Sequence, residues 1–380
     1  MRIALLMKRY SLLRGGGEYD LVRLSGSLAD RGHEVHLFVN SVEGKPDPRL
    51  VIHPVRMKRI WSPLKILSFA RNAPRAVAKS GIRFDVVHAM TQTFPSDLYW
   101  NGGGLQYNWL RARYGPEALK TAWMNPRHAA NLHVEEKIFE EGNYRRVVSL
   151  ADMEREQIVG HYKVPEERFH VIPNGINFER FNPDVREKCR EEVRKEIGIS
   201  ADRKMVLFVG SDGLRKGLPQ LFSALGSVAP SFEGLLVIAG NDPPRRWKPQ
   251  VEKHGLSDKV RFHGPERKIE RLYAAADLVV LASIFDGYGN VIPEAMACAC
   301  PVLSAKSVGA AFFIDAGENG WVLEDCNDQE TYSKALTQAL NESDLESMGR
   351  SAYEKIALYS WDWTVDRLEE VYRLIMEEKG

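Results

Sequence analysis

Short apolar runs recur along this chain at the spacing of buried strands, and helical patterns of mixed polarity fill the intervals. The runs are residues 3–7, 35–39, 86–88 and 147–150, then 206–209, 235–239, 279–281 and 301–304. Apolar strands alternating with amphipathic helices predict two parallel, doubly wound sheets. Between the two sets lies Val171-Ile172-Pro173-Asn174-Gly175-Ile176-Asn177, followed by Phe181-Asn182-Pro183, a stretch dense in turn formers. The domain junction is placed there, giving an N-terminal Rossmann-like domain over residues 1–173 and a C-terminal one over 174–360. After it, a charged helical stretch runs from Asp184 to Ile197, and Met205 opens the first strand of the second domain. The last helix, residues 361–376, carries Val365, Leu368, Val371, Tyr372 and Ile375 on one face.

Composition narrows the class. A chain of 380 residues with 44% hydrophobic content exceeds what one core usually holds, so two domains of ordinary size fit. The formal charge of +1 supplies no global field, so nucleic acid is not an expected partner and any electrostatic partner must be read from local clusters. Of the four cysteines, only Cys298 and Cys300 lie close in sequence, without a histidine companion or metal-ligand spacing. Buried thiols in a reducing compartment are the expectation, with no metal site. The N-terminus opens on a strand-like run rather than a signal peptide, and no apolar run approaches a membrane span. A cytoplasmic location is expected.

The most informative segment is Asp286-Gly287-Tyr288-Gly289-Asn290-Val291-Ile292-Pro293-Glu294. Two carboxylates eight positions apart bracket a glycine-containing loop that runs into a helix start. Glycines let backbone approach a ligand closely, and amides at a helix N-terminus favour phosphate. A Gly-rich turn before a core helix, with two solvated acids, is the competing account. A second strand-turn-helix segment reads Val209-Gly210-Ser211-Asp212-Gly213-Leu214-Arg215-Lys216-Gly217. Adjacent cations at a helix start run against the macrodipole, and a bound pyrophosphate would explain them. A solvated surface pair would too. A third, Arg14-Gly15-Gly16-Gly17-Glu18, follows the first strand and is neither Gly-x-Gly-x-x-Gly nor a P-loop, so nicotinamide and ATP readings lose support. It is either a phosphate-accessible turn or a flexible loop.

The first two of these segments closely resemble family 4 of the retaining glycosyltransferases, which the first domain fits more loosely, and Gly-Ser-Asp followed by Arg-Lys-Gly is especially like the bacterial lipopolysaccharide core glucosyltransferases. The resemblance implies the GT-B fold, two Rossmann-like domains facing an interdomain cleft, with residues 361–380 packing back on the first domain. It implies a nucleotide-sugar donor, UDP-glucose foremost, held by Gly16, Gly17, Gly210, Ser211, Arg215, Lys216, Asp286, Gly287, Tyr288, Gly289, Asn290, Val291 and Glu294. Arg215, Lys216, Asp286 and Glu294 are the implied catalytic group: the cations neutralise the diphosphate, Asp286 addresses sugar hydroxyls, and Glu294 takes the ribose hydroxyls. Glu18, Asp20, His88 and Gly103 are candidates for the acceptor side, with a buried structural histidine as the alternative for His88. Two positions depart from the pattern. Asp286 stands where the family usually has Glu, and Gly103 stands near where the lipopolysaccharide core enzymes carry an acid.

The implied reaction is metal-independent front-face displacement, retaining configuration, onto a glycolipid or oligosaccharide acceptor of the cell envelope. The alternatives are a mannosyl- or other hexosyltransferase acting on a lipid, which shares these residues, a sugar-nucleotide epimerase on the same fold, and a non-catalytic glycan- or membrane-binding relative that retains the fold. One cluster bears on the partner: between Pro48 and Phe84 there are nine Lys or Arg and no Asp or Glu. Within residues 56–79, Ile66, Phe69, Ala70, Ala73 and Val77 follow helical spacing beside Trp61, Lys65, Arg71 and Arg75. Residues 107–133 carry Trp109, Arg111, Arg113, Tyr114 and Trp123. Such segments suit peripheral attachment to an anionic inner leaflet, or a core-packed helix with a basic outer face.

Overall fold

A computed structural model describes residues 1–12 and 16–380. The chain forms two compact units, residues 1–175 with 361–380, and residues 176–360. The first holds β1 (Arg2–Ser11), β2 (Glu34–Glu43), β3 (Val51–Pro54), β4 (Val86–Ala89), β5 (Leu98–Asn101), β6 (Arg146–Ser149) and β7 (Phe169–Val171). They make one parallel sheet in the order β3-β2-β1-β4-β5-β6-β7. The second unit holds β8 (Lys204–Val209), β9 (Gly234–Ala239), β10 (Val260–Gly264), β11 (Leu278–Leu281), β12 (Val302–Ala305) and β13 (Gly320–Leu323). Its parallel order is β10-β9-β8-β11-β12-β13.

Both sheets are helix-covered, which is why their central strands are apolar on both faces: Met205, Val206, Leu207 and Phe208 of β8 are all buried. Strand order reverses beside β1 and β4 in one sheet and beside β8 and β11 in the other, so the connections leave in opposite directions and open a crevice at the carboxyl ends there.

The helix Trp361–Lys379 belongs to the first unit. Val365, Leu368, Val371, Tyr372 and Ile375 are buried in it, and Thr364 Oγ1 donates to the Pro173 carbonyl at 3.0 Å. Arg31 pairs with Asp366, Arg146 with Glu378, and Lys379 with Asp97 at 3.0 Å. Gly175 is required at the point of exit: a Cβ there would lie 2.4 Å from Trp361 Cα.

Several strands escape the apolar-run pattern because they are short and carry polar members, as in the edge strand β3 with His53 and the interior strand β5 with Asn101. The apolar stripe of residues 56–79 also has a different destination from a bilayer. Within the helix Ser62–Lys79, Ile66, Phe69, Ala70 and Ala73 are buried against Phe38, Phe84 and Tyr99 of the first unit's core. A membrane cannot take that face, and Ile60 and Trp61 just before the helix, with Leu67 within it, remain exposed.

Candidate functional site

The carboxyl ends of β8 and β11 carry the two loops that matter. After Val209 the backbone turns through Gly210–Gly217 as a compact knot: Lys216 N donates to Asp212 O at 2.9 Å and Leu218 N to Gly213 O at 2.8 Å. Arg215 and Lys216 lie in this turn and not in the helix, which begins at Leu218. They stand immediately ahead of its N-cap, Gly217. Gly210 makes room for the lysine, since a Cβ there would meet Lys216 Cδ at 2.4 Å. Gly217, at φ +80°, passes so close to the Ala282 carbonyl that a Cβ would lie 2.1 Å away.

The loop after β11 brings Asp286 to those cations. Lys216 Nζ donates to Asp286 Oδ2 at 2.9 Å, and an Arg215 guanidinium nitrogen lies 3.1 Å from the same oxygen. Arg215 also donates to the Phe285 carbonyl at 3.2 Å and sits 3.7 Å from Asp212. Asp286 is pinned by its own backbone, its N–H donating to Ser307 O and its carbonyl accepting from Gly309 N, both at 3.0 Å. Burial raises its carboxyl pKa, but the charges of Lys216 and Arg215 outweigh burial and hold it below the ordinary value, so the group is ionised.

The helix Val291–Ala297 starts one residue past Asn290 and carries Glu294 in its first turn. Tyr273 donates its hydroxyl to Glu294 Oε2 at 2.8 Å. Burial pushes the Glu294 carboxyl up to about 7, against the pull of Tyr273, Arg180 and Lys216. Lys216 thus acts on both carboxylates. Gly289 is needed at φ +86°, where a Cβ would lie 2.7 Å from Val308. Tyr288 is buried, and its carbonyl accepts from Ala310 N at 2.7 Å.

Two supports are unannounced in the sequence. Asp242, after β9, accepts the Gly213 N–H at 2.8 Å, and Asn241 reaches Ser211 Oγ through its N–H at 3.3 Å and its side-chain amide at 3.4 Å. Asn-Asp beside a proline pair looks like a plain turn, and only the adjacency of β9 to β8 reveals it as a brace. Tyr273 likewise hides within a run of core residues.

Of the first-unit candidates, Gly16 caps the helix Gly17–Asp30 at φ 67°. Glu18 lies 3.9 Å from Arg9. Arg14 and Gly15 lie outside the described residues. Asp20 is buried and accepts from the Asn174 amide at 3.2 Å, which makes it a brace for the turn at the unit boundary rather than an open acceptor contact. His88 is also corrected: it is fully buried, bonded to the Tyr372 hydroxyl at 2.8 Å and stacked on Trp100, and burial pushes its pKa down to about 3. A neutral imidazole locked against the C-terminal helix is packing, not acceptor recognition. Gly103 is exposed, with open space around a built Cβ. Among the described residues no group of three His, Cys, Asp or Glu is placed to hold a metal, and no helix is long and apolar enough to cross a membrane.

The chain is similar to known glycosyltransferases. The family model described as glycosyl transferases group 1 matches residues 189–355, and that of glycosyltransferase family 4 matches residues 14–180. Lipopolysaccharide glucosyltransferase WaaG of Escherichia coli (strain K12) is 28% identical over 349 residues, covering 87% of this chain and 87% of its own. A D-inositol 3-phosphate glycosyltransferase of Geodermatophilus obscurus is 28% identical over 405 residues, covering 96% of this chain and 86% of its own. The crystal structure of WaaG matches with a TM-score of 0.83 at 26% identity, over 98% of this chain and 99% of that one.

Proposed function

Because this chain belongs to the glycosyltransferases of group 1 and family 4, we propose that it moves a hexose, glucose foremost, from UDP-glucose to a lipopolysaccharide core or related envelope glycolipid. The observation that carries this reading is the meeting of Arg215, Lys216 and Asp286 at the carboxyl ends of β8 and β11. A planar guanidinium and a point-charge ammonium side by side suit a diphosphate, whose negative charge grows as the glycosidic bond breaks. The glucosyl donor and glycolipid acceptor are suggested by the name of the WaaG relative.

In this mechanism the acceptor hydroxyl attacks on the face from which the diphosphate leaves, and a phosphate oxygen accepts its proton. Configuration is retained without a covalent intermediate on the protein. Arg215 and Lys216 stabilise the leaving group, Asp286 and the amides of the loop through Val291 hold the sugar, and Glu294 holds the ribose. The protein contributes position and charge. The two cations supply the stabilisation that a divalent metal gives elsewhere, so activity is expected to survive a chelator. Glu18 and Gly103 are the first-unit positions proposed to meet the acceptor.

The lipid acceptor is reached from an anionic membrane surface. Ile60 is 94% exposed and Trp61 51%, next to the basic outer face of the helix Ser62–Lys79. Trp123 and Met124 are 72% and 67% exposed in the Arg-rich segment 107–133. Isolated apolar tips among cations suit peripheral attachment.

The test is transfer itself. Labelled UDP-glucose incubated with truncated core glycolipid on anionic vesicles should pass its sugar to the lipid, with EDTA present throughout. Arg215→Ala should lower kcat roughly 10²- to 10³-fold, the effect typical of removing one oxyanion-stabilising donor. Hydrolysis without transfer to any lipid, or full loss in EDTA reversed by manganese, would contradict the proposal.

A further inference from the structure

The same oxygen of Asp286 takes both cations, and that carboxylate cannot drift away from them. Its backbone is tied on one side to Ser307 and on the other to Gly309, with a bridge to Val308. Lys216 has no other acceptor among the described residues, and its side chain is 13% exposed, like that of Asp286. A diphosphate entering here must therefore win Arg215 and Lys216 from an anion that already holds them. Asp286 then loses its partners while remaining in a poorly solvated position, which is costly unless something donates to it.

A nucleotide sugar brings such donors, because the sugar hydroxyls arrive with the phosphates. A nucleoside diphosphate does not. It also carries more negative charge on its terminal phosphate, which would face the released carboxylate directly. From this we infer that Asp286 is a specificity-determining residue that discriminates the nucleotide-sugar substrate from the nucleoside diphosphate product, by competing with the diphosphate for Arg215 and Lys216 and being compensated only by sugar hydroxyls. The inference rests on the donor site proposed above. Product release is then assisted by re-formation of the ion cluster.

Calorimetric titration of the full chain with UDP and with UDP-glucose tests this. The unaltered protein should bind UDP-glucose more tightly than UDP. Asp286→Asn removes the competing charge but keeps shape, so UDP should bind roughly tenfold more tightly, as an unscreened carboxylate near the phosphates would predict. UDP-glucose should bind no better than before, so the preference for it falls by roughly tenfold. Asp286→Glu keeps the charge, so UDP affinity should not rise, which separates charge from a general loosening of the loop. If Asp286→Asn weakens both ligands alike, or Asp286→Glu tightens UDP as much as Asn does, the discriminator role is wrong while the donor site stands. If the unaltered protein binds neither UDP nor UDP-glucose, nor the GDP- or ADP-sugars, the donor site itself is overturned and the discriminator with it.

Discussion

At the scale of single residues, the chemistry turns on where charge is buried. Glu294 has its carboxyl pushed up to about 7 by burial, so near neutrality half of the unliganded molecules hold it protonated. Ribose hydroxyls donate best to the ionised form. Donor affinity should therefore climb by roughly tenfold between pH 6 and pH 8 and level off above, while Glu294→Gln should flatten the profile. The stability sign is the reverse: a carboxyl raised above its ordinary value favours the fold below that value and loses its contribution as pH rises through about 7. Titrations of donor affinity and of Tm should thus move in opposite directions, and a pH-independent donor affinity would remove Glu294 from the site. Gly210→Ala is a steric test of the same locus. Its Cβ would displace Lys216, so donor affinity should drop about tenfold or more with a Tm change of only a few degrees, measured by calorimetry and thermal melting. The spacing of acids, glycines and paired cations in this site suited a solvated turn as well as a donor loop, and the resemblance to family 4 is what favoured the donor loop. The burial of Asp20 was not legible, since it depends on Asn174 far away in sequence, whereas for His88 a buried histidine was one of the two readings and only its Tyr372 partner went unseen.

At the scale of elements, the donor loop is held from outside itself. The β8 turn is braced by the β9 turn through Asp242 and Asn241, and the approach is so tight that a Cβ on Gly240 would lie 1.9 Å from the Gly210 carbonyl. Asp242→Ala should leave the Gly213 N–H unmatched and loosen the turn that carries Arg215 and Lys216. The expected result is a drop in kcat with KM for the donor also raised, and partial rescue by Asp242→Asn, whose amide oxygen can accept the same bond. A change in Tm alone, with kinetics intact, would show the brace to be merely structural. A comparable device fastens the helix Pro183–Ile197: Arg186, Arg190 and Arg194, spaced one turn apart, cap the carbonyls of Ala274, Ala275 and Ala276, while Arg190 and Arg194 also pair with Asp277. The pattern of apolar runs found the central strands because they are buried on both faces. It passed over β5, β7 and β13, whose few residues are interrupted by polar or glycine positions.

For the whole molecule, the GT-B fold implied by the motifs is the fold of the chain, two parallel sheets of seven and six strands that match WaaG across nearly its full length. Its least local feature is the return of the chain to the first unit at Trp361. The helix there buries Val365, Leu368, Val371, Tyr372 and Ile375, each worth about 1.5–3 kcal/mol when fully covered. Removing residues 361–380 would also strip His88 of its Tyr372 partner near the sheet's centre and take Lys379 from Asp97 and Glu378 from Arg146. A chain ending at Ser360 should show a first unit that melts at least about 10 °C lower or fails to fold, followed by far-UV circular dichroism on heating.

The measurement that bears most directly on the central claim is a thermal-shift panel of UDP-, GDP- and ADP-sugars on the full chain, repeated on Glu294→Ala and Arg215→Ala. The account predicts stabilisation by one nucleotide class, UDP-glucose foremost, and its loss in both variants. Stabilisation by no nucleotide sugar, or stabilisation that persists unchanged in both variants, would contradict the assignment of the donor site to the loops after β8 and β11.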